Sequence, residues 1–140
     1  VSLLSHVLRV HDRVYKATDG RVGHRVLGVP TLLLRTTGRR SGAARSSSLV
    51  YARDGADYLV VASKGGSDEP PAWLLNLEAK PEVEIQVGRD RQEAAARVVG
   101  ASDPDYGRLW KIVNENNGDR YDAYQSETSR PIPVVVITPA

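Results

Sequence analysis

Residues 36–45 read TTGRRSGAAR, and a packed core does not explain them. Gly38 and Gly42 bracket Arg39, Arg40 and Ser41, so the backbone there turns tightly and can present several N–H groups on one side. The guanidinium forks of Arg39 and Arg40, with a third from Arg45, match the oxygens of a phosphate or carboxylate. The same residues also suit a basic hairpin turn that faces water. A second turn bears on the choice. Residues 58–62 read as a buried strand ending in Ser63-Lys64-Gly65-Gly66, followed by Trp73, Asn76 and Leu77 on an expected helix. Strand, small-residue turn and helix start form the usual geometry for seating an anion against backbone donors. Near the C-terminus, Tyr121 and Tyr124 stand three apart on an expected short helix, where both would face one direction. They suit either one shared pocket or ordinary amphipathic packing.

The elements that must position these groups follow from periodicity. Over residues 2–16, Leu3, Leu4, Val7, Leu8, Val10 and Val14 recur at helical spacing, with His6, Arg9, Arg13 and Lys16 largely between them. This predicts an amphipathic helix, and residues 1–20 are read as a unit ahead of a single domain over 21–140. The helix either docks on that domain or lays its basic face on anionic lipid. Residues 21–29 read as irregular. Leu32, Leu33 and Leu34 then fit a strand buried on both faces, and 44–53 reads as one long strand that Asp54-Gly55 turns back into the next. In that strand Arg45, Ser47, Leu49, Tyr51 and Arg53 share one face, and Ser46, Ser48 and Val50 the other. Its serines fit the wall of a wet site or an exposed strand face. Ser67 to Glu69 is expected to cap a helix that Lys80-Pro81 ends. Two strands, about 82–87 and 92–99, follow. Ser102 is expected to cap a helix that reaches about Asn114, with Tyr106, Leu109, Trp110 and Val113 inward. Asn116-Asn117-Gly118 breaks it, Asp119 opens the tyrosine helix, and 131–138 closes the fold with a strand whose prolines suggest an edge position or a late start. Roughly six strands in antiparallel hairpins, with no helix between each pair, predict a mainly β fold with peripheral helices, a small and partly open β-barrel, over a doubly wound sheet.

At 140 residues the chain fits one core. Hydrophobic residues at 41% and charged residues at 26% are ordinary for a soluble protein, and no run is long enough to cross a bilayer. With no signal peptide evident, a cytoplasmic location is expected, with membrane association left open by the basic N-terminal helix. The absence of cysteine excludes disulfides, thiolate metal sites and a cysteine nucleophile, and three histidines make a His-built metal site a poor expectation. A net charge of +2 and the absence of Phe do not call for nucleic acid.

TTGRRSG with Arg45, then VVASKGG, PAWLLNLEAKPEVEIQVG and DRYDAYQSETSRPIPVVVI, in that order, resemble the deazaflavin-dependent nitroreductase family over nearly the whole chain after about residue 20. That resemblance implies a split β-barrel like that of flavin-mononucleotide-binding reductases. It also implies hydride transfer from the reduced 8-hydroxy-5-deazaflavin coenzyme, F-420, to a quinone, nitro compound or activated enone, with no metal. On this basis Gly38, Arg39, Arg40, Ser41, Gly42 and Arg45 would take the phosphodiester. Ser48, Ser63, Lys64, Gly65, Gly66 and Asn76 would border the ring and tail, and Trp73 would shield the ring by packing. Tyr121, Tyr124 and Ser63 are the expected catalytic group; the proton would come from one of them or from water, with Tyr124 the first candidate. Ser48 stands where relatives often carry Pro, Val50 where they carry Tyr, and Glu127 where they carry another aromatic residue. The competing expectations are a flavin-mononucleotide reductase on the same barrel, a non-catalytic deazaflavin carrier and an RNA-binding barrel. Oligomeric state is not readable.

Overall fold

The computed structural model describes residues 25–26 and 29–140, so the expected helix over 2–16 lies outside the described residues, as does the Asp19-Gly20 turn. The strands are β1 (Arg25–Val26), β2 (Val29–Thr37), β3 (Ala44–Val50), β4 (Ala52–Asp54), β5 (Asp57–Val61), β6 (Glu82–Val87), β7 (Asp90–Val99) and β8 (Val134–Pro139). The helices are α1 (Ala72–Ala79), α2 (Tyr106–Asn116) and α3 (Arg120–Gln125), with a 3-10 turn at Lys64–Gly66. Every strand pair is antiparallel, in the order β1-β2-β6-β7-β8-β5-β4 with β3 also paired to β2. This is the expected curled, partly open barrel, built from eight described strands where about six were expected.

Two differences concern the strands, and the first has a clear physical cause. The expected single strand over 44–53 breaks at Tyr51, where the chain leaves β2 and pairs with β5 instead. Tyr51 N–H donates to Pro30 O, its carbonyl accepts from Asn116 Nδ2, and its ring packs edge-on against Tyr58 at 5.2 Å. Three anchors thus fix a corner that alternation alone cannot show. The second difference lies within the stretch expected to be irregular, where Arg25–Val26 pairs back onto Val29 and Pro30.

The helix starts also move. α1 begins after Pro71, and Ser67 Oγ accepts from Glu69 N in a preceding turn and does not cap the helix. α2 begins at Tyr106, because Asp103 Oδ1 accepts from Asp105 N and holds a turn where Ser102 was expected to cap. β8 starts late, at Val134, and it is an interior strand between β5 and β7, not an edge. Pro131 and Pro133 precede it, so neither removes a donor from the ladder, and Pro139 stands at its last position.

Its unbroken run Val134-Val135-Val136-Ile137 is explained by two cores on opposite faces of the sheet. Val135 and Ile137 join Leu32, Leu34, Val60 and Ile85 inside the barrel, which Trp73, Leu74 and Leu77 of α1 close. Val134 and Val136 join Leu59, Val61 and Val99 under Leu109, Val113 and Tyr121 of α2 and α3. Both parities of β8 must therefore be apolar. The consequence for function is positional: α1 holds one end of the barrel beside the arginine loop, and α3 is held against the turn that follows β5.

Candidate active site

The loop between β2 and β3 is closed on itself. Gly38 N–H donates to Ala43 O at 2.7 Å, Gly42 N–H donates to Gly38 O at 2.8 Å, and Gly42 has φ +74. Ser41 Oγ accepts from Ala43 N at 3.2 Å, so this hydroxyl serves the turn itself. Arg39 is tied to α1: its backbone N–H and its Nη1 both donate to Asn76 Oδ1 at 3.1 Å, and Asn76 Nδ2 donates to Thr36 Oγ1 at 3.3 Å. Asn76, buried, is thus the strut between loop and helix. Arg45 Nε lies 3.6 Å from the place a Gly38 side chain would occupy, so the loop folds under the third guanidinium. Arg35, Arg97 and Arg108 each pair with a carboxylate, whereas among the described residues Arg39, Arg40 and Arg45 pair with none. A cluster of cations with no internal counter-charge suits an anion from solution.

The turn after β5 is the second element. Lys64, Gly65 and Gly66 all lie in the left-handed region, at φ 46, 64 and 87. Gly66 N–H donates to Ser63 O and Ser67 N–H to Lys64 O. For Lys64, which has a Cβ, this conformation costs about 1–2 kcal/mol. Lys64→Gly is therefore expected to raise stability by about 1 kcal/mol, the relieved strain exceeding the roughly 0.4–1 kcal/mol that a more flexible unfolded chain takes back. Thermal denaturation checks the sign. Gly66 is needed for a different reason, close approach: a Cβ there would meet Tyr124 O at 2.7 Å and Glu127 Cβ at 3.2 Å. The turn and α3 therefore form one packed unit.

The two tyrosines of α3 have different surroundings. Tyr121 is 6% exposed, packed in the second core near Trp110, and burial pushes its pKa far up, with Asn117 opposing that rise. Tyr124 is half-buried and meets Tyr121 edge-on, with ring centroids 6.2 Å apart. Burial raises its pKa, Arg120 opposes that rise and Glu127 adds to it. Of the two, Tyr124 is the one that combines a protonated phenol with access from solvent.

A sequence model described as F420H(2)-dependent quinone reductase matches residues 7–139. The chain belongs to that family. It is 58% identical over 133 residues to an F420H(2)-dependent quinone reductase of Mycobacterium tuberculosis (strain ATCC 25618 / H37Rv), covering 94% of this chain and 89% of that protein. Among solved structures, one titled as an F420-H2 dependent reductase has a TM-score of 0.68 at 34% identity, covering 77% of this chain and 93% of the other. Another, titled a domain-swapped dimer, has a TM-score of 0.72 at 30% identity, covering 95% and 98%.

For this member of the F420H(2)-dependent quinone reductase family, the expected residues separate into groups. Gly38, Arg39, Arg40, Ser41, Gly42, Arg45 and Asn76 form one cluster, and Gly66 with Tyr124 belongs to another that includes Ser63, Lys64 and Gly65. Trp73 is in the barrel interior at 7% exposed, where it closes the core beneath α1. Ser48 pairs with Leu33 and Arg45 with Thr36, which sets Ser48 and Arg45 on opposite faces of β3. Sequence reasoning missed Thr36 and Arg120. Arg120 is detectable in principle, one turn before Tyr124 on a helix, whereas Thr36 depends on a contact with Asn76 across 40 residues. Among the described residues, no group of three or more His, Asp or Glu could hold a metal, and no helix is long and apolar enough to cross a membrane. The groove beside Arg35, Lys80, Glu84 and Glu93 is lined by none of the expected site residues.

Proposed function

We infer that this chain transfers a hydride from reduced F-420 to a quinone, and that nitro compounds and activated enones are further acceptors of the same site. The observation that carries the reading is the arginine loop: three guanidinium groups, on a backbone closed by two glycines, with no carboxylate among the described residues to neutralise them. That donor set fits the phosphodiester of the coenzyme. Arg39, braced by Asn76, gives the loop a fixed geometry, while Arg40 and Arg45 supply the remaining charge. The Lys64–Gly66 turn borders the ring and tail, with the Lys64 ammonium exposed toward an acidic tail. When bound, the reduced coenzyme supplies the hydride, and a quinone taking up that hydride and one proton becomes the hydroquinone.

The proton comes from Tyr124. Its hydroxyl keeps its proton through and past the ordinary tyrosine value of 10.0, so the acid form is present over the whole neutral range. Turnover should therefore stay flat on the Tyr124 limb from neutral pH upward and decline only above pH 10.0, as the phenol loses its proton. Tyr121 acts from beneath, as the packed floor that orients the Tyr124 ring. Tyr124→Phe is expected to lower kcat about thirtyfold. That is less than the ~10²–10⁴ usual for a general acid, because water can reach the half-exposed position. F-420 affinity should hardly change, and steady-state kinetics with a fluorescence titration separates the two.

The deciding experiment follows oxidation of reduced F-420 with a panel of quinones, nitroimidazoles and enones, beside parallel titrations with F-420 and flavin mononucleotide. Binding of F-420 with turnover of a quinone is expected. Tight binding without turnover would indicate a carrier, and preference for flavin mononucleotide would overturn the assignment of the cofactor.

A further inference from the structure

Arg130 falls inside the C-terminal stretch that carries the resemblance, with no site role expected of it, and its guanidinium reaches back 63 to 68 residues to the turn after β5. Nε donates to Ser67 O at 2.8 Å, and Nη2 donates to Ala62 O at 3.1 Å and Ser63 O at 2.9 Å. Three backbone carbonyls from one short segment converge on one cation, and among the described residues no carboxylate forms an ion pair with it. The segment they belong to contains the left-handed Lys64-Gly65-Gly66 run, and strained backbone persists only where its surroundings over-determine it.

The other end of Arg130 is fixed just as firmly. Its carbonyl accepts from Gln125 Nε2 at 2.8 Å, and Gln125 Oε1 accepts from Ile132 N at 2.9 Å, which ties the residue to the end of α3. Beside it, Thr128 Oγ1 donates to Asp68 Oδ1 at 2.7 Å, a second link between the same two segments. Tyr124 O and Glu127 Cβ already press on Gly66 from this side.

We propose that Arg130 is a positioning residue: it clamps the Ser63–Ser67 turn in its strained form and sets that turn in register with the Tyr124 helix, so that the cofactor side and acceptor side of the site are held as one unit. Lysine cannot perform this task, because a single ammonium lacks the planar fork that spans carbonyls on both sides of the turn. The proposal rests on the reading of the turn as a cofactor wall, and its test includes a measurement that does not depend on it.

In the full chain, amide hydrogen exchange of Gly66 and Ser67, which donate to Ser63 O and Lys64 O, should accelerate about tenfold or more in Arg130→Lys. Exchange at Ala96, which donates to Pro81 O in the distant sheet, should stay as in the parent protein. The KM for reduced F-420 should rise about tenfold with a smaller change in kcat, and added guanidinium at millimolar concentration should partly restore the KM of Arg130→Ala. If Arg130→Ala does not fold, the Lys variant carries the test. Unchanged exchange at Gly66 and Ser67 would overturn the clamp, as would uniform acceleration that includes Ala96. Local acceleration with an unchanged KM would support the clamp and would remove the turn from the cofactor site.

Discussion

Gly66→Ala is expected to cost about 3 kcal/mol of stability and to lower the unfolding midpoint by roughly 10 °C. Two separate penalties add at this position. The backbone has φ +87, where a Cβ is disfavoured by about 1–2 kcal/mol. The added methyl would also stand 2.7 Å from Tyr124 O, a backbone atom that cannot swing away as a side-chain tip would. Relief requires α3 to back off, which would pull Tyr124 from its place and stretch the links from Thr128 and Arg130. Activity should therefore fall further than stability alone dictates. Measured well below the melting range, a variant with unchanged kcat and an unchanged midpoint would show that the turn and helix tolerate separation.

The parts of this molecule that sequence reveals are those whose causes are local. Glycines at 38 and 42 announce the arginine loop because a tight turn needs them where they stand, and Asp54-Gly55 announces its hairpin for the same reason. Apolar alternation finds β6, and the four-residue apolar run finds β8, although only the sheet order reveals why both of its faces are covered. The corner at Tyr51 was not legible, since its three anchors lie at Pro30, Tyr58 and Asn116.

The same rule governs the site. Arg39 and Arg40 are visible as donors, but what holds Arg39 is Asn76, 37 residues away, and an asparagine on a helix gives no hint of which loop it will brace. Tyr121 and Tyr124 look equivalent by spacing. They differ because α3 tilts one ring into the second core and leaves the other at the surface, a distinction made by packing against Trp110 and Val113, not by anything on the helix itself. The motif resemblance named the two phenols, and the fold gave them different exposure.

Replacing Arg39 and Arg40 together with Ala should weaken F-420 binding by about 3 kcal/mol, roughly 150-fold, if each charge-assisted contact contributes about 1.5 kcal/mol. The fold should survive the change. Neither residue takes part in an ion pair, both are exposed, and the closing hydrogen bonds of the loop run between Gly38, Gly42 and Ala43 backbone groups that the substitutions leave in place. Arg39 N–H still reaches Asn76 Oδ1 in the variant, because that donor belongs to the main chain. The single variants should divide unequally. Arg39→Ala frees Asn76 from one of its two donors and removes a guanidinium that is already oriented, whereas Arg40→Ala removes a charge that has no bracing contact. The loss at Arg39 should accordingly be the larger, and raising the salt concentration should weaken the parent protein more than the double variant. Fluorescence quenching titrations at two ionic strengths read both effects. An unchanged affinity in the double variant, with the midpoint of unfolding also unchanged, would remove this loop from the cofactor site.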